Sequence, residues 1–204
     1  MRFWARNFLI LLPFTVLSPL ANAQALPTAT QLLRLSVFGG ATGMDIGLEG
    51  SQTIGATAGL DVGLGRFFGV QPGIELRGTE TSEGGVVSGE KNALIGATVS
   101  RNFGHIQPYA DFLFGRGILD YGHGGYPNSS FTLLYTHTAG NVLSPGAGIN
   151  LSITEHFSVK LDGQYQRIAT PVTAKHYIYA TPLTFGVIYN FNFNRHAHFD
   201  KRMP

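Results

Sequence analysis

The stretch from Pro182 to Phe193 constrains the fold more than any other part of this sequence. It reads PLTFGVIYNFNF, and apolar side chains occupy alternate positions from Leu183 onwards, with Thr, Gly and Asn between them. Only Ile188 breaks the alternation. A period of two places the apolar residues on one face of an extended strand and the small or amide residues on the other. Because the apolar face is crowded with aromatic rings near its C-terminal end, we predict a strand that faces lipid.

The same alternation recurs in seven earlier segments and predicts an all-β chain. We expect strands at 32–41, 53–64, 70–77, 93–100, 106–115, 146–153, 159–166 and 182–193. Short turns join these strands at one end and longer loops at the other, as in a transmembrane barrel with periplasmic turns and extracellular loops. The predicted fold is therefore an eight-stranded antiparallel up-and-down transmembrane β-barrel. Proline removes a hydrogen-bond donor from a sheet, so we expect the prolines near strand ends or bulges, namely Pro72, Pro108, Pro145 and Pro182.

The first residues predict an export signal. Arg2 and Arg6 supply positive charge, Phe8 to Leu20 form an apolar run, and Ala21 to Ala23 form a small-residue cleavage site. A transmembrane anchor is the alternative, but the run is short and contains two prolines. The predicted organisation is a signal peptide at 1–23, a leader at 24–31, a barrel at 32–193 and a tail at 194–204.

Composition supports a membrane barrel. Without the two signal arginines, 12 of the 14 basic residues remain against 12 acidic ones, so the mature chain is neutral and gives no argument for nucleic acid binding. Charged residues make up 13% of the chain, about half the usual 25%, which leaves few side chains to cover a surface in water. No later stretch approaches the roughly 18 apolar residues of a spanning helix. The absence of cysteine excludes disulfides and thiol chemistry.

Alternation alone does not say whether the apolar face meets lipid or the dry core of a soluble, lipocalin-like barrel. The polar face favours lipid, because a soluble barrel would need far more Lys and Glu there. An Arg or Lys that faced lipid would cost about 2–4 kcal/mol. We therefore predict a lumen in which cations pair with acids and which conducts poorly. The residues of this network are Arg34, Asp61, Glu75, Arg77, Asp111, Lys160 and Asp162.

Three further groups of residues predict features of the two membrane boundaries. Arg116 and Arg167 share the outward parity near the extracellular rim, where they are candidate contacts for lipopolysaccharide phosphates; ordinary headgroup anchoring is the alternative. Aromatic residues at the turn end predict a periplasmic girdle, with core packing of a soluble sandwich as the alternative: Phe67, Phe68, Phe103, Phe157, Tyr189 and Phe191. The loop 116–141 has a composition suited to recognition, or it is a disordered tip; its aromatic residues are Tyr121, Tyr126, Phe131 and Tyr135.

Three stretches carry a resemblance to a known family: GLDVGLGRFFGVQPGIELRG at 59–78, GAGINLSITEHFSVKLDGQY at 146–165 and TPLTFGVIYNF at 181–191. They resemble the outer-membrane β-barrel domain family, the small OmpA-like and OmpX-like barrels. The resemblance implies a monomer in the bacterial outer membrane, in contact with lipid and lipopolysaccharide. It also implies insertion by the barrel-assembly machinery and periplasmic chaperones. The closing-strand signal for that machinery would be Val187, Tyr189, Phe191 and Phe193.

Catalytic and metal-binding patterns are weak. The segment His137 to Asn141 faintly resembles the His-x-Ser segment of lipid A deacylases, but Ala139 stands where the nucleophile is needed. His196 and His198 provide fewer ligands than a zinc site requires. We therefore predict no catalytic, cofactor or metal site, and a structural or surface-binding role. A small porin-like channel and a lipid A-modifying hydrolase are the alternatives.

Overall fold

A computed structural model describes residues 34–49, 51–82, 86–122, 124–128 and 130–191. The predicted signal peptide and leader, Phe193 and the tail lie outside the described residues, so those predictions stay predictions. Within the described ranges, no helix has the length and apolar character needed to cross a bilayer.

The described chain is built almost entirely from antiparallel strands. These are β1 (Arg34–Ile46), β2 (Ser51–Gly63), β3 (Gln71–Ser82), β4 (Val87–Ser100), β5 (Ile106–Tyr121), β6 (Tyr126–Pro127), β7 (Leu134–Tyr135), β8 (His137–Ser152), β9 (Phe157–Gln164), β10 (Gln166–Ala169) and β11 (Tyr177–Phe191). β6 and β7 form a separate hairpin, while β9 and β10 occupy the same position in the wall. Pairing of β1 with β11 closes the sheet. The prediction of an eight-stranded up-and-down barrel is confirmed.

The two faces of the wall differ as a membrane barrel requires. Phe185 and Val187 are 63% and 51% exposed on the outside, whereas Arg77 and Lys160 are 3% and 1% exposed on the inside. Leu94 and Ile188, which break the sequence alternation, both point inward and are buried. Both side chains therefore help to fill the lumen.

Several strands are longer at their outer ends than predicted. β3 and β4 leave only residues 83–86 between them, although we expected a polar loop at 79–91. β5 and β8 take residues from both ends of the expected loop 116–141. The alternation of buried and exposed positions continues through these extensions. In these extensions, however, the inner face is apolar as well. The sequence there no longer alternates between apolar and polar residues, and the prediction depended on that alternation.

Two prolines lie inside strands, although we expected the prolines near strand ends or bulges. Pro145 is in the middle of β8 and Pro182 is in the middle of β11. Neither can donate a hydrogen bond to the strand between them. That strand is interrupted at Tyr165, which divides it into β9 and β10, although the Tyr165 N–H still donates to the Pro145 carbonyl at 2.9 Å. The two missing backbone N–H donors therefore cause only a one-residue interruption of the neighbouring strand, and the barrel remains closed.

Candidate functional site

The lower half of the lumen contains a cluster of charges centred on Arg77. Its Nε donates to Glu75 Oε1 at 2.6 Å, and its two terminal nitrogens donate to the Asp162 carboxylate at 2.6 and 3.1 Å. Asp111 lies 3.9 Å from the same guanidinium. Arg77 is on β3 and Asp162 is on the opposite wall, so this forked ion pair crosses the lumen. Paired hydrogen bonds of this kind fix geometry as well as charge.

Lys160 extends the cluster towards the end of the barrel that carries the short turns. Its Nζ is 3.4 Å from Glu75 and 3.8 Å from Asp61, and it lies 4.0 Å from the centre of the Phe38 ring. The Tyr109 hydroxyl donates to Asp162 at 2.5 Å. Six of the seven predicted lumen residues therefore meet in one place. We call this group the charged knot: Asp61, Glu75, Arg77, Asp111, Lys160 and Asp162.

Arg34 lies apart from the charged knot, at the mouth on the short-turn side of the barrel. It donates to Asn190 Oδ1 at 2.9 and 3.3 Å and to Gln107 Oε1 at 3.5 Å. Gln107 is on β5, across the lumen from β1, so the side chain bridges the mouth. In the described part of the chain Arg34 forms no ion pair with a carboxylate, which differs from the pairing we expected. A cavity of about 50 Å³ separates it from Lys160.

A layer of threonines lies above the charged knot. Thr42 Oγ1 is 2.6 Å from Thr57 Oγ1 and 2.8 Å from Thr184 Oγ1, and Thr57 is 3.0 Å from Thr79. A hydroxyl can donate and accept at once, so this layer links the inner faces of four adjacent strands, β11, β1, β2 and β3, without any charge.

The outer half of the lumen is filled by apolar side chains that the sequence did not lead us to expect inside. We call this group the apolar plug: Met44, Ile46, Leu48, Val87, Leu94, Leu113, Leu119, Tyr121, Val142, Ile168, Val172, Ile178 and Ala180. A sequence signal for it exists in the runs Phe112-Leu113-Phe114 and Ile118-Leu119, because consecutive apolar residues indicate a strand that is dry on both faces.

Glu90 is enclosed beside the apolar plug and was also missed, because it fell in the expected loop 79–91. It is 0% exposed, and Asn92 Nδ2 donates to its Oε1 at 2.7 Å. Its other oxygen has no hydrogen-bond partner, and neither have Asn92 Oδ1 and Gln166 Nε2. No cation pairs with Glu90 among the residues described.

A hairpin formed by residues 124–136, which we call the cap hairpin, covers the outer mouth. The Tyr126 hydroxyl donates to Glu49 at 2.9 Å, and Tyr126 and Tyr135 pack against the apolar plug. Glu49 follows β1, which lies across the barrel from β5, so the base of the hairpin crosses the mouth. The hydrogen bond to Glu49 raises the pKa of Tyr126, because only the neutral phenol can donate it.

The outer wall carries aromatic residues at both boundaries. At the turn end, Phe157 and Tyr189 make an edge-on ring contact at 5.2 Å, and Phe68 is fully exposed. Near the outer end, Tyr165 and Tyr179 stack at 5.0 Å. This second aromatic band was not predicted, because its members are spread over separate strands.

The two arginines of the extracellular rim both point outward. Arg116 pairs in register with Asn141 on β8, and Arg167 pairs with Leu143 on the same strand. The two side chains therefore flank β8 at neighbouring levels of the wall. Arg167 also lies 4.3 Å from the centre of the Tyr177 ring.

The residues considered for catalysis and metal binding are not brought together. His137 begins β8 and its ring contacts Thr136 at 3.3 Å, while Ala139 faces outward. Within the described ranges, no group of three or more His, Asp or Glu side chains is placed to hold a metal ion. His196 and His198 lie outside those ranges.

A closed eight-stranded barrel with an apolar wall and buried charges is the fold of the small outer-membrane β-barrels. Among solved structures, the chain is similar to Neisserial surface protein A, with 17% identity over 77% of this chain and 97% of that one and a TM-score of 0.51. It is also similar to Ail of Yersinia pestis, solved with the heparin analogue sucrose octasulfate, with 15% identity, coverages of 78% and 99% and a TM-score of 0.51. These likenesses show the fold. No family model and no curated protein matches the sequence.

Proposed function

We propose that this protein is a non-enzymatic barrel of the bacterial outer membrane that binds partners through its surface loops. The observation that carries the proposal is the filled lumen. The forked pair between Arg77 and Asp162 crosses its lower half, and the apolar plug occupies its outer half. An ion moving through would have to displace a buried ion pair and then cross a dry segment. The outer surface, rather than the interior, is then available for function.

Conductance tests this proposal against the channel alternative. The refolded protein should migrate differently on heated and unheated detergent gels, which establishes a closed barrel, and should give no stepwise current in a planar bilayer. A known porin reconstituted in the same way is the positive control. Reproducible single-channel steps from the heat-modifiable form would contradict the proposal and favour a channel.

The loop that contains the cap hairpin offers an uncharged surface for binding. Residues 121–136 contain no Asp, Glu, Lys or Arg and include four aromatic side chains. Aromatic rings with Ser, Asn and Gly suit adaptable recognition. Ail was solved with a polyanion, but the absence of cations from this segment argues against the same ligand class here. Deletion of 124–136 should abolish adhesion of expressing cells while leaving the heat-modifiable band intact; unchanged adhesion would contradict the proposal for this loop.

The hydrolase alternative has little support in the geometry. Ala139 stands where a nucleophile would be required; it shares the outward face of β8 with His137, so the histidine has no hydroxyl at that position to activate. Overexpression should therefore leave the acylation pattern of lipid A unchanged by mass spectrometry. A lost acyl chain would restore the enzyme hypothesis.

We also propose that Arg116 and Arg167 contact lipopolysaccharide phosphates. Their outward placement on either side of β8 supports this, because two guanidinium groups could engage one headgroup. The double alanine variant should retain less lipopolysaccharide after purification. Lys91→Ala is the matched control, since Lys91 is already paired with Glu80 at 3.0 Å. Equal lipid content in both variants would remove the proposal.

Assembly is proposed to follow the route implied by the closing strand. Val187 and Tyr189 lie on the exposed face of β11, next to Phe191, and β11 pairs with β1 at the seam. Together with Phe193, they are the proposed signal for the barrel-assembly machinery and its chaperones. Replacing Tyr189 and Phe191 with Ala should reduce insertion into the outer membrane. The inserted wild-type protein should elute as a monomer in detergent.

A further inference from the structure

The cap hairpin ends in three exposed apolar side chains. Phe131, Leu133 and Leu134 are 84%, 59% and 63% exposed, whereas the tyrosines at the base of the hairpin pack against the apolar plug. The tip therefore contributes little to the packing of its own barrel. Exposed apolar groups of this kind indicate a contact surface.

The tip is held in one shape by a network around Asn128. Its side-chain oxygen accepts from the backbone N–H groups of Thr132 at 2.9 Å and Leu133 at 3.2 Å, and its backbone N–H donates to the Leu133 carbonyl at 2.9 Å. Phe131 has a φ of 54°, a conformation that a bulky residue rarely adopts. Backbone strain at an exposed aromatic residue is a feature of ligand-contacting turns.

The base of the hairpin separates the tip from the lipid-facing wall. Tyr126 leaves the β5 side of the barrel and reaches Glu49 on the β1 side. The hairpin is therefore rooted across the mouth rather than along the outside of the wall. The tip is therefore placed to contact a surface outside the cell rather than the protein's own bilayer.

We propose that the tip of the cap hairpin, Phe131 with Leu133 and Leu134, inserts into an apposed lipid membrane. This inference rests on the proposed surface-binding function and names the chemistry of its partner. Residues 121–136 carry no charged side chain, so insertion takes no ion into hydrocarbon.

The size of the tip favours lipid over a protein partner. Three side chains cover a few hundred Å² at most, whereas a stable protein interface buries about 800 Å² on each side. A bilayer requires no matching pocket, since the affinity of an inserted group follows its apolar area and the composition of the lipid. A second protein would need further contacts around the tip, and the hairpin offers no charged side chain for them.

A tryptophan at the tip tests the proposal directly. The only Trp in the sequence is Trp4, in the predicted signal peptide, so Phe131→Trp expressed without residues 1–23 carries a single reporter. The variant is placed in nanodiscs and mixed with phosphatidylcholine vesicles. We expect a blue-shifted emission on mixing and quenching when brominated lipid is in the added vesicles. Adding Leu133→Ser and Leu134→Ser should abolish both effects and lower vesicle co-flotation at least tenfold, while Ser130→Ala in the same background should change neither.

The remaining outcomes overturn the inference in distinguishable ways. Quenching by brominated lipid in the nanodisc itself would place the tip in the protein's own membrane. No response to vesicles, with cell adhesion still dependent on the tip, would indicate a protein partner and leave the proposed function standing. No response to vesicles, with adhesion unaffected by deletion of the hairpin, would remove both the inference and the surface-binding role of this loop.

Discussion

The two halves of the barrel interior fill the same narrow tube with opposite chemistry. In the lower half, the cations Arg77 and Lys160 are almost fully buried and each lies close to more than one carboxylate. In the outer half, mostly apolar side chains pack together, and Glu90 lies beside them with no cation among the residues described. The stability of the lower half depends on complete pairing of its charges, whereas the stability of the outer half depends on how fully its apolar side chains fill the space. The two halves should therefore respond differently to substitution.

The largest effect is expected from breaking the charged knot. Arg77→Met leaves Glu75 and Asp162 without their main partner inside the barrel. Removing one member of a buried ion pair typically costs about 3–5 kcal/mol, so we expect a loss of that size in the free energy of unfolding. Urea titration in lipid vesicles, followed by the folded band on unheated gels, measures it. Lys91→Met, which breaks an exposed pair, is the control and should leave the midpoint unchanged; equal losses would mean that burial does not matter here.

A cavity in the apolar plug should have the next largest effect. Leu113 is 0% exposed inside the barrel, and Leu113→Ala should lower stability by about 2–5 kcal/mol. Ile118→Ala, on the lipid-facing side of the same strand, is the matched control. It should cost less, because lipid chains fill the space that the side chain leaves. The same urea titration compares them, and identical losses would show that the outer half is not tightly packed.

The two buried glutamates should separate the halves most clearly. Glu75→Gln removes the charge that pairs with Arg77 and Lys160, and should cost about 1–3 kcal/mol. Glu90→Gln replaces a buried carboxyl that has no cation among the residues described, and it should leave stability unchanged or increase it. Unfolding midpoints of the two variants, measured at neutral pH against the wild type, test both expectations. A large loss in the Glu90 variant would reveal a cationic partner that the described residues do not show.

The smallest effect is expected at the cap hairpin. Tyr126→Phe removes the hydrogen bond to Glu49, and a bond of this kind contributes about 1 kcal/mol. Hydrogen exchange of the hairpin amides should accelerate severalfold while global unfolding is unchanged. The raised pKa of Tyr126 predicts a matching pH dependence in the wild type. The bond is present at neutral pH and is lost as the pH rises through that raised value, whereas the Phe variant lacks this transition.

The outward face made the fold predictable from sequence. Lipid requires apolar residues along every wall strand, so the alternation from Ile54 to Leu64 already describes β2 almost completely. The inner face was predictable only where it is polar. Arg77 and Lys160 stand out against Gly and Thr, and their parity placed them inside.

The outer half could not be predicted by the same reasoning. Ile118 faces lipid and Leu119 faces the apolar plug, and the sequence shows only two adjacent apolar residues. Glu90 lies two positions from Asn92 and shares its inward parity, yet its polar surroundings favoured a loop. The cap hairpin depends on hydrogen bonds between residues close in sequence, such as those of Asn128, and on a contact with Glu49 in the distant turn that follows β1. Such a contact produces no periodic pattern in the sequence.

The inward glycines are fitted to the large side chains beside them. A β-carbon at Gly59 would collide with the ring of Phe38 and with the Leu76 carbonyl oxygen, and one at Gly148 would collide with the phenol of Tyr109 and with the Leu161 carbonyl oxygen. Neither glycine can gain a side chain unless the facing ring is replaced by a smaller group and the paired backbone shifts. In diverged descendants of this gene, a bulkier residue at position 59 should accordingly be found only beside a smaller one at 38, so that the two alignment columns record a single evolutionary event.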